Sequence, residues 1–175
     1  IPLYESNNDT AKSVIATFFQ VFPNGIIFSN DNNGEGYDAV LLGQVEPTMI
    51  DLDVLQRRLD REDYRPVKES LMEVGFGTRG GAPDSSIDNP EVAVALLATY
   101  AGRAVDLKEW VKGAQINTDR NLRLQYLAGM WLNSYIGTEI LGGILKYYTF
   151  PNEMLIGSGE RMAAMKQALM SAGRR

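Results

Sequence analysis

The 175-residue chain contains no histidine and no cysteine. Those two absences remove Ser-His-Asp and Cys-His nucleophilic sites, zinc held by His or Cys, and any disulfide framework within the chain. Chemistry here would have to rest on carboxylates, lysine, tyrosine or backbone groups. Long apolar runs are missing too: "AVALLATYAG" and "YLAGMWL" fall far short of the ~20 residues needed to cross a bilayer. With no visible signal peptide, a cytoplasmic location is expected, membrane tethering of a longer parent being left open. The chain opens "IPLYES" without Met, which suggests a piece of something longer. Basic character is also lacking. The net charge is −5, and the only basic doublets are Arg57-Arg58 and Arg174-Arg175, so no nucleic-acid partner is expected.

What remains is ordinary globular material, 45% hydrophobic and 22% charged. A chain of this length buries roughly 70% of its unfolded surface and needs no covalent staple. "IPLY" reads as a strand stub. "SNNDTAKSVIATFFQVFPNG" reads as a helix, with Ser6 and Asp9 as a capping box and Pro23-Asn24-Gly25 as the stop. Val14, Ile15, Phe18, Phe19 and Phe22 form its apolar stripe, and core packing rather than an aromatic cofactor box explains the three phenylalanines. "GIIFS" and "YDAVLLGQ", joined by "NDNNGEG", predict a β-hairpin. "AVLLG" lacks polar alternation, so that strand is expected to be covered on both faces.

After Pro47 the pattern turns helical. "IDLDVLQRRLDR" has Asp51 as N-cap and Leu52, Leu55 and Leu59 on one stripe. "RPVKESLMEVGF" has Pro66 in its first turn, Val67, Leu71 and Val74 inward, and Gly75 past its end. "NPEVAVALLATYAG" predicts a helix capped at Asn89 and ended by Gly102. "DLKEWVKG" carries the capping pair Asp106 and Glu109. "DRNLRLQYLAGMWLNSYIG", "TEILGGILKYY" and "SGERMAAMKQALMSAGRR" complete the set, with Met162, Met165 and Met170 as a packing face and Trp110, Tyr126 and Trp131 as core or interface anchors. Asn117 and Asp119 in "INTDR" predict an Asx turn and N-cap for a helix from about Arg120. The fold class expected is therefore α/β over 1–46, then an all-helical extension over 47–175, with a flexible loop at 77–89.

"GFGTRGG" holds a G-x-G-x-x-G match at Gly75, Gly77 and Gly80. A dinucleotide site needs those glycines between a strand and a helix N-terminus. Here they follow a helical pattern and lead into the loop "APDSSIDN", so Gly75 reads as a helix stop and no cofactor site is assigned.

Three stretches, "IPLYES…KSVIATFFQVFPNGIIFSND…YDAVLLGQ", "LATYAGR" and "INTDRNLRLQYLAG", together resemble the C-terminal part of spermidine/spermine synthase-like proteins, in particular the long fused bacterial type. The likeness spans most of 1–45 and 90–130. It implies that 1–46 are the last helix and antiparallel hairpin of a methyltransferase-like Rossmann sheet. The parent's implied reaction is aminopropyl transfer from decarboxylated S-adenosylmethionine, a co-substrate, to an amine. The family's glycine-rich donor loop and amine-deprotonating Asp fall upstream of this chain, so no catalytic residue, cofactor or metal is assigned within it, and the fragment alone is expected to be inactive. The resemblance implies that "LYES" occupies the strand end where family members place a polar residue near the amine-binding cleft, which makes Tyr4 and Glu5 the substrate-side candidates; a carboxylate there suits an ammonium. Expected partners are the upstream part of the parent chain, the polyamine substrate, and a second copy in a homo-oligomer. The alternative is a helical interaction or dimerisation module with no catalysis.

Overall fold

In a computed structural model that describes residues 1–32, 35–74, 76, 92–128, 130 and 135–171, the chain is mixed α/β and divides into two compact units. One joins Ile1–Thr48 to Tyr100–Thr149, and the other joins Met49–Thr99 to Phe150–Arg175. The first segment ends within two residues of the composition change at 46/47, but residues 100–149 pack with it. The region after 46 is not wholly helical, since three strands lie in it.

In the first unit, α1 (Asn8–Val21) begins one residue later than a Ser6 cap would place it. Asn7 is the N-cap, its side chain accepting from the Thr10 N–H at 2.7 Å, while Ser6 is buried. Ile15 is fully buried, and Phe18, Phe19 and Phe22 are half-buried. Phe18 and Phe22 tilt against each other at 5.3 Å and cover Gly25 and Gly43, where a Cβ would meet their rings. The predicted hairpin is present as β1 (Ile26–Asn32) and β2 (Glu35–Leu42), antiparallel, with Ile26 opposite Leu42. β2 is not covered on both faces. Ala39 is buried, but Val40 and Leu42 are 54% and 43% exposed.

"TYAGR" departs most from expectation. The helix there is only α4 (Val92–Leu97), and Tyr100–Arg103 is a strand, β4, antiparallel to β1 on the side away from β2. Pairing with β1 overrides the helical pattern. Gly102 is therefore a strand residue and not a helix stop, and a Cβ on it would press on Leu107 at 3.1 Å. Short helices α5 (Ala104–Leu107) and α6 (Arg123–Ala128) follow, then α7 (Gly137–Leu145), which packs on β2. The core joins Leu3, Ile15, Ile27, Ala39, Leu107, Trp110, Ile140 and Ile144. Each buried Leu or Ile is worth about 1.5–3 kcal/mol relative to exposure. α6 starts at Arg123 rather than near Arg120. Asn117 supplies the expected cap across the loop, its Oδ1 accepting from Leu124 N–H at 2.9 Å, whereas Asp119 is exposed. Tyr126 is 70% exposed and anchors no core.

In the second unit, α2 (Leu52–Leu59) is capped as expected, Asp51 Oδ1 accepting from Val54 N–H at 2.9 Å. α3 (Arg65–Glu73) has Pro66 in its first turn, but Val67 and Val74 are exposed, and Leu71 with Met72 makes its inward contacts. α8 (Gly159–Ser171) packs through Met165 and Leu169, with Met170 exposed. It contacts α4, which also packs on α2. β3 (Ile50–Asp51) and β5 (Leu155–Ile156) form a short parallel pair. The loop 77–89, the glycines 75, 77, 80 and 81, the Asn89 cap and Trp131 lie outside the described residues. Among the described residues no helix is long and apolar enough to cross a membrane.

Candidate functional site

The segment "IPLYES" enters the first unit along the outer edge of β2 through a single β-bridge. Pro2 bridges Asp38 antiparallel, Ala39 N–H donates to Ile1 O at 2.8 Å, and Leu3 N–H donates to Tyr37 O at 2.9 Å. Leu3 is fully buried and fixes the segment to the core. Tyr4 follows the bridged segment. Its ring stacks on that of Tyr37, with centroids 4.8 Å apart and planes at 25°. Stacked aromatic pairs of this kind are worth about 0.5–1.5 kcal/mol beyond their area.

Tyr37 reaches Tyr4 from a β-bulge. Asn30 faces Asp38 and Asp31 faces Gly36, so Tyr37 is the extra residue of β2. A bulge bends the strand and re-aims a side chain. Tyr37 stays 52% exposed, so the stack presents an aromatic surface to solvent. The neighbouring Tyr37 phenol holds the Tyr4 hydroxyl above the ordinary tyrosine range.

Glu5, next in sequence, is exposed and has φ 53°, a left-handed conformation that costs a residue with a Cβ about 1 kcal/mol. The structure thus sets Tyr4 and Glu5 side by side in the turn between the Pro2 bridge and the N-cap of α1, and adds Tyr37, which sequence reasoning missed. Two tyrosines so far apart carry no local signal of contact. The one available hint was the Asn/Gly-rich turn, where bulges concentrate.

A second polar cluster lies in the same unit. Asp106 accepts from the Tyr100 hydroxyl at 2.6 Å, the Thr149 hydroxyl at 2.5 Å, and the backbone N–H and Nε of Arg103 at 3.0 and 3.2 Å. Asp106 is therefore the third residue of α5 reaching back to its start, not the cap of a helix with Glu109. Glu109 instead pairs with Lys112 at 3.0 Å. Burial alone would raise the Asp106 carboxyl, but the donors from Thr149, Tyr100 and Arg103 outweigh it and hold it below the usual carboxylate range. Burial, then the adjacent carboxylate, pushes the Tyr100 hydroxyl far above the tyrosine range. Both oxygens of Asp106 are used to tie β4 and α5 to Thr149, so the cluster is structural.

Among the described residues no group of three or more acidic side chains converges as a metal site would require. Compared with protein-family models, curated proteins and solved structures, the chain gives no match.

Proposed function

We propose that this chain is the C-terminal part of a spermidine/spermine synthase-like protein, whose parent transfers an aminopropyl group from decarboxylated S-adenosylmethionine to an amine. In this reading residues 1–46 are the last helix and hairpin of a methyltransferase-like sheet. The observation that carries it is the pairing of Ile1–Leu3 along β2, a β-bridge with two flanking backbone hydrogen bonds, which leaves Tyr4, Glu5 and Tyr37 grouped beside the hairpin. The exposed Val40 and Leu42 of β2 support it further, because a larger sheet and its helices would cover them.

The transfer forms a C–N bond from the neutral amine while the C–S bond of the sulfonium breaks. Methylthioadenosine leaves as a thioether and the new ammonium gives up a proton. This chain's residues act on the amine side. Glu5 holds the non-reacting ammonium, and the Tyr4–Tyr37 face offers the alkylammonium a cation–π wall. In this reading the donor loop belongs to the parent's upstream segment, so the chain alone is silent.

A thermal-shift titration with methylthioadenosine and linear diamines tests this, comparing the chain with a longer form that carries the parent's preceding segment. The reading expects a methylthioadenosine shift in the longer form alone. A shift in this chain by itself, or in neither, overturns it.

The second reading, an interaction or dimerisation module, draws on Tyr126, Met130 and Tyr135, which are 70%, 68% and 78% exposed. It expects concentration-dependent mass in light scattering that is lost when the three become Ser.

A further inference from the structure

The stop after α1 ends in the dipeptide Asn24–Gly25, and three hydrogen bonds close it. Asn24 N–H donates to Gln44 O at 3.2 Å, Asn24 Nδ2 donates to Val45 O at 2.5 Å, and Gly25 N–H donates to Phe22 O at 2.9 Å. The first two tie the stop to the chain leaving β2. Position 25 has no room for a side chain, because a Cβ there would lie 2.5 Å from the Phe18 ring and 3.0 Å from Phe22 O. Position 24 needs an amide donor, because its partner is a carbonyl. The fold therefore asks for Asn followed by Gly, and that pair carries a chemistry of its own.

With no Cβ on the following residue, the backbone nitrogen after an asparagine meets the least hindrance on its way to the side-chain carbonyl carbon. The Gly25 nitrogen attacks Asn24 Cγ and forms a C–N bond. The Cγ–Nδ2 bond breaks, and the amide nitrogen departs as ammonia with the proton that Gly25 gives up. Water then opens the cyclic imide at one of its two carbonyls, leaving aspartate or isoaspartate at position 24. In the closed fold both nitrogens are engaged, the nucleophile by Phe22 O and the leaving group by Val45 O. Reaction has to start from a locally opened state. Neither product closes again. An ionised aspartate only accepts, and Val45 offers it an oxygen. Isoaspartate lengthens the main chain by one carbon just before buried Gly25, where Phe18 and Phe22 leave no space.

We propose that Asn24–Gly25 is a modification site for deamidation, latched by the fold. Conversion proceeds only when the contacts to Phe22, Gln44 and Val45 open, and the carboxylate it leaves keeps Gln44–Val45 from closing again. The site is independent of the amine-side group at Tyr4, Glu5 and Tyr37 and does not require the chain to be part of a synthase.

The test incubates the 175-residue chain at mildly alkaline pH, in buffer and in unfolding urea, and maps aspartate and isoaspartate at position 24 by peptide mass spectrometry. A second Asn–Gly pair, Asn33–Gly34, lies outside the described residues and is scored separately. Conversion at Asn24 should proceed in urea and run at least ~tenfold slower in buffer, as for a step that draws on a minor open state. Phe22→Leu loosens the packing over Gly43, so it should speed conversion in buffer and leave the urea rate unchanged. Equal rates in buffer and urea, no conversion in urea, or an unaltered buffer rate in Phe22→Leu would each overturn the latch. Should Phe22→Leu unfold the chain, the comparison of buffer with urea decides. Asn24→Asp makes one product directly. It should lower Tm by about 2–4 °C, the scale of one lost hydrogen bond in a chain of this size, and quicken hydrogen exchange at the residue 24 amide. Parental Tm and exchange in that variant would overturn the one-way release of Gln44–Val45.

Discussion

The hydroxyl of buried Tyr100 donates to the carboxylate of Asp106 at 2.6 Å, and Thr149 and Arg103 bind the same carboxylate from other directions. With its side chain only 6% exposed, Asp106 must be ionised to satisfy these donors at once. Its folded pKa lies below the unfolded value of ~3.9. The unfolded state therefore binds the proton first on acidification. The stabilisation is present above about pH 4 and is lost as pH falls through the folded pKa. Asp53, held down first by Arg161 and then by Ser158, and Asp60, held down by Lys68 and then Gln56, add the same sign. Urea midpoints from pH 7 to pH 2.5 should fall in the acid limb. Asp106→Asn should lower the pH 7 midpoint and flatten that limb. An acid limb unchanged in Asp106→Asn would show that the carboxylate is not what titrates.

Gly36 of β2 and Gly137 at the start of α7 meet backbone to backbone. A Cβ on Gly36 would lie 2.3 Å from Gly137 O, and one on Gly137 would lie 2.1 Å from Gly36 O. Both obstacles are backbone, so neither can swing aside. Gly36→Ala and Gly137→Ala should each destabilise by about 1–3 kcal/mol, the range of overpacked cores. Gly142→Ala is the control, because a Cβ there meets nothing within 4 Å, and it should be neutral or stabilising in its helix. Equal midpoints for all three variants would mean that β2 and α7 do not approach this closely.

In the second unit, Gln56 is buried at 4% exposure and bonds in two directions. Its Nε2 donates to both oxygens of Asp60 at 3.1 Å, and its Oε1 accepts from Ala93 N–H at 3.3 Å near the start of α4. Gln56→Leu keeps the volume but strands a buried N–H and removes a donor from a carboxylate. A loss of about 1–3 kcal/mol is expected, together with faster hydrogen exchange at Ala93. Unchanged exchange at that amide would refute the bond.

What could be read from the sequence was local. α1, α2, α7 and α8 carry their own periodicity, and Asp51 and the Pro23-Asn24-Gly25 stop mark ends by short-range chemistry. The hairpin was legible because its two strands adjoin an Asn/Gly turn. β4 was not, because "ATYAGR" continues a helical pattern and becomes a strand only when β1, far upstream, offers its edge. The same holds for the sites. Tyr4 and Glu5 could be singled out from sequence, but Tyr37 joins them through a bulge and a β-bridge.

Glu5 offers the sharpest separation of structure from function at the candidate site. Its left-handed φ of 53° is unfavourable for a residue with a Cβ, and glycine gives back part of the relief as backbone entropy. Glu5→Gly should therefore stabilise the chain by about 0.5–1 kcal/mol, visible as a rise of a few degrees in Tm. Glu5→Gln keeps the backbone penalty and removes only the charge, so Tm should stay where it is. In the longer parent the same Glu5→Gln change should raise the amine KM about tenfold, as loss of one ammonium–carboxylate contact does, with kcat little changed. A strained residue that gains stability on replacement while losing amine affinity is one held in place for its carboxylate. If Glu5→Gly gains stability and Glu5→Gln leaves KM untouched, the strain serves only the turn into α1 and the amine-side role of Glu5 falls.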